Sequence, residues 1–151
     1  MNIRTNLFIV MVLMYPPLVL SNPIQNFWKC AIEVEKITGI DQNVIAAIKI
    51  AESGTRFDSV LNHNSNGSVD IGIMQTNSIW FTELARYGIH REMLHDNCVS
   101  VKVAAWMLLG HLKKTDDLWE AVGRYHSKTP KFKIPYQNKV KKIYEYLERN
   151  G

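Results

Sequence analysis

The sequence predicts a mainly helical α+β domain with one small β-hairpin. Three observations carry that expectation. Apolar residues recur at helical spacing through most of the chain after residue 21. A single Asn-, Ser- and Gly-rich stretch, Asn62 to Ser68, interrupts them between two short apolar pieces. One strongly apolar segment after Asp96 reads as a central helix on which the others pack.

Residues 1–21 stand apart. Arg4 supplies a positive start, an apolar run extends from Leu7 to Leu20, and small Ser21 precedes a plausible cut. The run is broken by Pro16 and Pro17, and it is short of the roughly 20 apolar residues a membrane span needs. Those prolines also count against a buried N-terminal helix. The segment therefore reads as a signal peptide, leaving residues 22–151 as one domain. Export bears on the two cysteines, Cys30 and Cys98. In an oxidising compartment such a pair usually closes into a disulfide, two buried free thiols being the alternative.

Within the domain, Phe27, Ala31, Val34 and Thr38 mark a helix over residues 25–38 that Gly39 ends. Asp41 suits the N-cap of a second helix running to Gly54, with Val44, Ile45, Ile48 and Ala51 on its apolar face. Val60–Leu61 and Val69–Ile73 flank the turn-rich cluster as hairpin strands. A helix is expected from Asn77 to Tyr87. The central helix carries Val99, Val103, Trp106, Met107 and Gly110 on one stripe, with Ala105, Leu108 and Leu109 on other faces. Asp117 and Glu120 suggest a capping box before a helix over 118–125. The last helix aligns Tyr136, Val140, Ile143 and Leu147, with lysines opposite.

Glu52 is the residue that fits its helix least well. At 100° per residue, with Val44 at 0°, Ile48 falls near 40°, Glu52 near 80° and Ile45 near 100°. The carboxylate thus lies within the apolar face, in the last turn before Gly54. Burial disfavours its charge, and the helix C-terminus adds a like partial charge, so both raise its pKa. A carboxyl kept protonated near neutral pH can act as a general acid. A glutamate at the stripe's edge, its head reaching water, is the reading that periodicity leaves open. Asp70 lies beyond the turn, in a polar setting, and two carboxylates in contrasting environments across a cleft are what glycoside cleavage uses. A turn aspartate that merely accepts backbone hydrogen bonds is the plain alternative.

The order of motifs is more specific. Glu52-Ser53-Gly54 is followed by Asn64-x-Asn66-Gly67-Ser68-x-Asp70-x-Gly72-Ile73-Met74-Gln75-x-Asn77. Further on stand Tyr87-Gly88-Ile89, Asp96-x-Cys98, and Ala121-Val122-Gly123-Arg124-Tyr125-His126-Ser127 before Thr129-Pro130. Together these resemble the lytic transglycosylases of the soluble, goose-lysozyme-like family. They match in particular the small members that accompany type III and type IV secretion systems and pilus machines. The resemblance runs from Cys30 to Tyr136, and Thr76 departs from the usual Ile. The stretch is also similar to animal-type lysozymes, whose second carboxylate Asp70 matches.

The resemblance implies a lysozyme-like domain that cuts peptidoglycan glycan strands in the periplasm, without a cofactor or metal. Glu52 would be the catalytic acid, with Asp70 as a second catalytic carboxylate. Met74, Gln75 and Asn77 would line the saccharide cleft, Ser53 would hydrogen-bond near Glu52, and Tyr125 and Tyr136 would offer rings or hydroxyls to sugar. The outcome could be a 1,6-anhydro ring or, with Asp70 participating, hydrolysis. A non-catalytic module that binds glycan or docks on a secretion or pilus apparatus is the reading from another class.

Other chemistry finds little support. The formal charge is +4, and a late cluster, Lys128, Lys131, Lys133, Lys139, Lys141 and Lys142, could face an anionic polymer or simply water. Export argues against nucleic acid. Asn62-x-Asn64-x-Asn66-Gly67 imitates the start of a calcium loop, but Ile73 stands where the loop needs its acid. His90 and His95 do not share a helical face, and no phosphate-binding glycine loop follows a strand.

Overall fold

The computed structural model describes residues 22–151, so the signal-peptide reading lies outside the described residues. Helix α1 spans Pro23–Thr38 and α2 spans Gln42–Ser53. Strands β1 (Leu61–His63), β2 (Val69–Ile71) and β3 (Thr76–Asn77) follow. A 3₁₀ turn at Ser78–Trp80 leads into the short helix α3, Phe81–Ala85, and a second 3₁₀ turn covers Arg91–His95. Helices α4 (Asn97–Thr115), α5 (Leu118–His126) and α6 (Pro130–Asn150) complete the chain. The domain is mostly helical with a three-stranded antiparallel sheet in the order β1-β2-β3.

Local chemistry sets the helix ends. The Asn22 side chain accepts a hydrogen bond from Ile24 N at 3.0 Å, and Pro23 opens α1, where a missing N–H costs nothing. Gly39 closes it in the left-handed conformation (φ 75°). Asp41 caps α2 through Asn43 N at 2.7 Å. Asp117 caps α5 through Glu120 N at 2.7 Å. The reciprocal half of that capping box is not formed. Glu120 instead accepts from Lys133 at 2.6 Å and Arg124 at 3.0 Å, since two cations outbid one neutral amide.

Helix α4 divides the interior. Val101, Ala104, Ala105 and Leu108 face the main core, built from α1, α2, α5 and α6. Val103 and Met107 face a smaller core under the sheet, with Ile71, Leu84 and Leu94. The central position expected for this helix is realised, but its apolar surface is two-sided. The one-stripe expectation needs correction at two places: Trp106 and Gly110 lie at the surface. The Cys30–Cys98 disulfide fastens α1 to the start of α4, with the Cα atoms 5.4 Å apart. Closing a loop of 68 residues stabilises the fold by about 4 kcal/mol in the chain-entropy account.

The helix expected over Asn77–Tyr87 is a strand end, a 3₁₀ turn and a five-residue helix. The sheet explains the difference. Thr76 and Asn77 are paired with Ile71 and Asp70 of β2, which holds them extended. Asn77 then caps the 3₁₀ turn through Ile79 N at 3.0 Å. Gly72, between β2 and β3, has φ 82°, and a Cβ there would lie 2.2 Å from the Leu94 carbonyl oxygen. Only glycine permits this close approach of backbone to backbone.

Thr76 is fully buried, and its hydroxyl has no hydrogen-bond partner among the described residues. An unsatisfied buried hydroxyl costs about 1–3 kcal/mol. Thr76→Val keeps the shape and removes the polar atom, so urea unfolding is expected to show a gain of about 1 kcal/mol. A loss of stability would show that the hydroxyl is satisfied in solution.

Candidate active site

Three parts of the fold converge on one cleft: the C-terminal end of α2, the sheet, and the α5–α6 corner. The cavity between them encloses about 320 Å³. Glu52, Asp70, Gln75, Asn77 and Tyr125 all line it.

Glu52 occupies the last turn of α2 and is half-buried, at the rim of the apolar face. Tyr136, buried on α6, donates its hydroxyl to Glu52 Oε1 at 2.5 Å. The carboxyl pKa is raised to about 7. Burial is the largest cause; the Tyr136 hydrogen bond opposes it, Asp70 adds a like charge, and Lys139 opposes again. Lys139 comes close because its ammonium donates to the Ala51 carbonyl at 2.7 Å, at the end of the same helix. Burial thus outweighs the stabilising contacts.

The end of α2 is held from beneath by a buried lysine. Lys49 Nζ donates to the Gly54 carbonyl at 2.9 Å and lies 3.7 Å from the centre of the Phe57 ring. Its pKa is lowered to about 8, first by burial, with Asp58 opposing. Ser53 does not line the cavity. Its hydroxyl lies 2.8 Å from the Ile73 carbonyl and 3.2 Å from that of Lys49, joining the helix end to the turn after β2. The Met74 side chain is likewise turned away, fully buried in the main core. Its carbonyl accepts the Tyr125 hydroxyl at 2.9 Å.

Asp70, on β2, is held at both oxygens. Asn77 Nδ2 donates to Oδ1 at 2.7 Å, and Asn64 Nδ2 donates to Oδ2 at 2.8 Å. Ser68 Oγ accepts from the same two amides at 3.0 and 3.1 Å, and lies 2.8 Å from Asn66 Oδ1. Within the asparagine cluster that imitates a calcium loop, Asn64 therefore holds the Asp70 carboxylate, Asn66 accepts from Ser68 and Asn62 donates to Gln75. Gln75 takes φ 51°, a left-handed conformation costing a non-glycine residue on the order of 1 kcal/mol. Its side chain is tied down by donating to the Gly72 carbonyl at 2.8 Å and accepting from Asn62.

The structure adds residues to those chosen from sequence. His126 lines the cavity and stacks on Tyr136, with ring centres 4.6 Å apart and planes 5° apart. Its pKa is lowered by burial and by Lys139. Its place in the Tyr125-His126 motif was the available signal. Ile79 and Trp80 also reach the cavity, from a segment expected to be regular helix. Met107, assigned to the core by its stripe, touches core and cavity alike.

A mostly helical domain with a small sheet thus brings a glutamic acid at a helix end and an amide-held aspartate to the wall of one cavity. The chain belongs to the transglycosylase SLT domain family, whose model matches residues 29–145. It is 36% identical over 118 residues to invasion protein IagB of Salmonella typhimurium, covering 77% of this chain and 73% of that protein. It is 34% identical to an X polypeptide of Escherichia coli, covering 72% and 68%. With protein IpgF of Shigella flexneri it shares 40% identity, covering 60% and 59%.

The raised Glu52 pKa has a consequence for stability. The folded state holds the proton up to about pH 7, whereas the unfolded chain releases it near 4.5. This contribution is complete below 4.5 and is lost as pH rises through 7, amounting to roughly 3 kcal/mol. Urea unfolding across that range should show the decline in the wild-type chain and not in Glu52→Gln. Tyr136→Phe should move the midpoint of the decline to higher pH, and Asp70→Asn to lower pH. Identical profiles for wild type and Glu52→Gln would contradict the assignment.

Proposed function

We propose that this chain is a peptidoglycan lytic transglycosylase. The observation that carries the reading is Glu52: a cleft-lining carboxyl with a pKa of about 7, facing the amide-framed Asp70. Membership of the family supports it, as does the ordered series of motifs around Glu52.

In the first step Glu52 donates its proton to the glycosidic oxygen between N-acetylmuramic acid and N-acetylglucosamine, and the bond to the anomeric carbon breaks. The ionised Glu52 is then stabilised by the Tyr136 hydroxyl and the Lys139 charge. In the second step it accepts the proton of the muramyl C6 hydroxyl as that oxygen bonds to the anomeric carbon. A 1,6-anhydro ring results, no water is consumed, and Glu52 ends protonated as it began. One group serves as acid and base because its pKa lies near the working pH. Asp70 lends negative charge to the cationic carbon, and Gln75, Asn77 and Tyr125 contact the saccharide. Ser53, Met74 and Tyr136 act through the positions of the helix end, the Tyr125 hydroxyl and Glu52.

A second reading is hydrolysis of the muramidase type, favoured by one observation, the presence of an ordered carboxylate at Asp70. The signal-peptide reading of residues 1–21 and the disulfide support work in the periplasm, with residues 22–151 as the catalytic unit. Among the described residues no helix is long and apolar enough to cross a membrane. Similarity to a protein named for invasion, and the resemblance to small secretion- and pilus-associated members, support local opening of the wall for such an apparatus.

Mass spectrometry of digested sacculi should find 1,6-anhydro ends, whereas reducing ends would establish the muramidase reading instead. Glu52→Gln should lower the rate about a thousandfold, and a variant with undiminished activity would end both readings. In the wild type, kcat/KM should fall as pH rises above about 7, where the proton donor is lost.

A further inference from the structure

His126 closes α5 and lies flat on Tyr136 of α6, with ring centres 4.6 Å apart and planes 5° apart. The stack follows from how the two helices meet. Gly123, one turn before His126, faces Lys133, one turn before Tyr136, and a Cβ at Gly123 would lie 2.6 Å from Lys133 Cγ. The missing side chain lets the helices close until the two rings touch. The link between them is short and tied down. Ser127 N donates to the Gly123 carbonyl at 3.2 Å, and Thr129 N donates to Ser127 Oγ at 3.1 Å.

This stack sits directly behind the Glu52 carboxyl. Tyr136 gives the one side-chain hydrogen bond that Glu52 receives among the described residues. Tyr125 is no substitute, because its hydroxyl is spent on the Met74 carbonyl at 2.9 Å. The His126 ring stands on the solvent side of the stack: it is exposed and lines the cavity, whereas Tyr136 is 8% exposed. It thus covers one face of the phenol, beside the carboxyl. The imidazole nitrogens bond no group among the described residues, so its contact with Tyr136 is made by the flat ring face alone.

Charge agrees with a covering role. Lys139 and Asp70 are the charged groups that face both His126 and Glu52. Burial lowers the imidazole pKa, Lys139 lowers it further and Asp70 opposes, so the ring is neutral at pH 7. A protonated ring would set a second cation beside Lys139 and favour loss of the Glu52 proton.

Resting on the reading of Glu52 as the proton donor, we propose that His126 is a positioning residue, whose ring clamps Tyr136 and shuts water out of the Tyr136–Glu52 pair. The imidazole neither gives nor takes a proton in the reaction. Without the ring, water reaches the carboxyl and solvates its charged form. Burial is the largest influence on Glu52, so uncovering it outweighs any loosening of the Tyr136 hydrogen bond.

The test follows the Glu52 carboxyl carbon by NMR through pH titrations of wild type, His126→Ala, His126→Ser and His126→Phe. The midpoint should fall from about 7 to roughly 6 in both ringless variants, a roughly tenfold easier ionisation, and stay near 7 in His126→Phe. On sacculi, the fall of kcat/KM with rising pH should begin about one pH earlier in the ringless variants. An unchanged or raised midpoint in them, or the same drop in His126→Phe, would overturn the proposal. So would a His126→Phe chain that keeps the midpoint but cuts no strand while wild type does, because the imidazole itself would then be catalytic. The two readings fail separately. A midpoint that depends on the ring, with a wild type that cuts no strand, would end the catalytic reading and leave the covering role standing. Strand cutting by a wild type whose midpoint is indifferent to His126 would do the reverse.

Discussion

The Glu52 carboxyl costs free energy to ionise where the fold holds it, and much of the site follows from that cost. Partial burial at the end of α2 pushes the pKa towards 7, while Tyr136 and Lys139 limit how far it goes. Neither influence alone would serve the proposed chemistry. A carboxyl buried without a donor would bind its proton too firmly to release it. One that was fully solvated would be ionised, with no proton to give. The balance depends on α6 crossing the end of α2, which brings a hydroxyl and an ammonium to one turn of helix.

That turn is fixed with unusual care. Lys49 holds the Gly54 carbonyl from the buried side, Lys139 holds the Ala51 carbonyl from the exposed side, and Ser53 reaches the Ile73 carbonyl. Of the carbonyls left open at this helix C-terminus, that of Ala51 is thus satisfied by a side chain. The Ser53 contact also fixes the helix end against the turn between β2 and β3, where Gly72 permits a close backbone approach. Asp70 and Glu52 are therefore positioned by one connected frame. The Asn64 and Asn77 amides complete it by holding both Asp70 oxygens.

The sequence made some of this legible and left the rest obscure for physical reasons. Helices α1, α2, α4 and α6 follow from spacing and caps, and Asp41 and Asp117 act where their residue type suggested. Strand β3 was missed because two residues carry no period, and because tertiary pairing, not propensity, extends them. The asparagine cluster read as a turn, and that Asn64 in it reaches Asp70 is set only in three dimensions. Glu52 was conspicuous on its helical wheel, yet its partner Tyr136 lies 84 residues away, beyond any periodic argument. Met74 was expected at the saccharide and Ser53 beside Glu52, whereas the Met74 side chain is buried in the core and the Ser53 hydroxyl binds the Ile73 and Lys49 carbonyls. A motif can mark a residue for the frame as readily as for the cleft.

The account stands most directly on the protonation state of Glu52. Following its carboxyl carbon by NMR through a pH titration of the wild-type chain measures this without a substrate. A midpoint near 7 is expected. A midpoint near the ordinary glutamate value of 4.5 would contradict the account, because the carboxyl would then be ionised at neutral pH with no proton to donate.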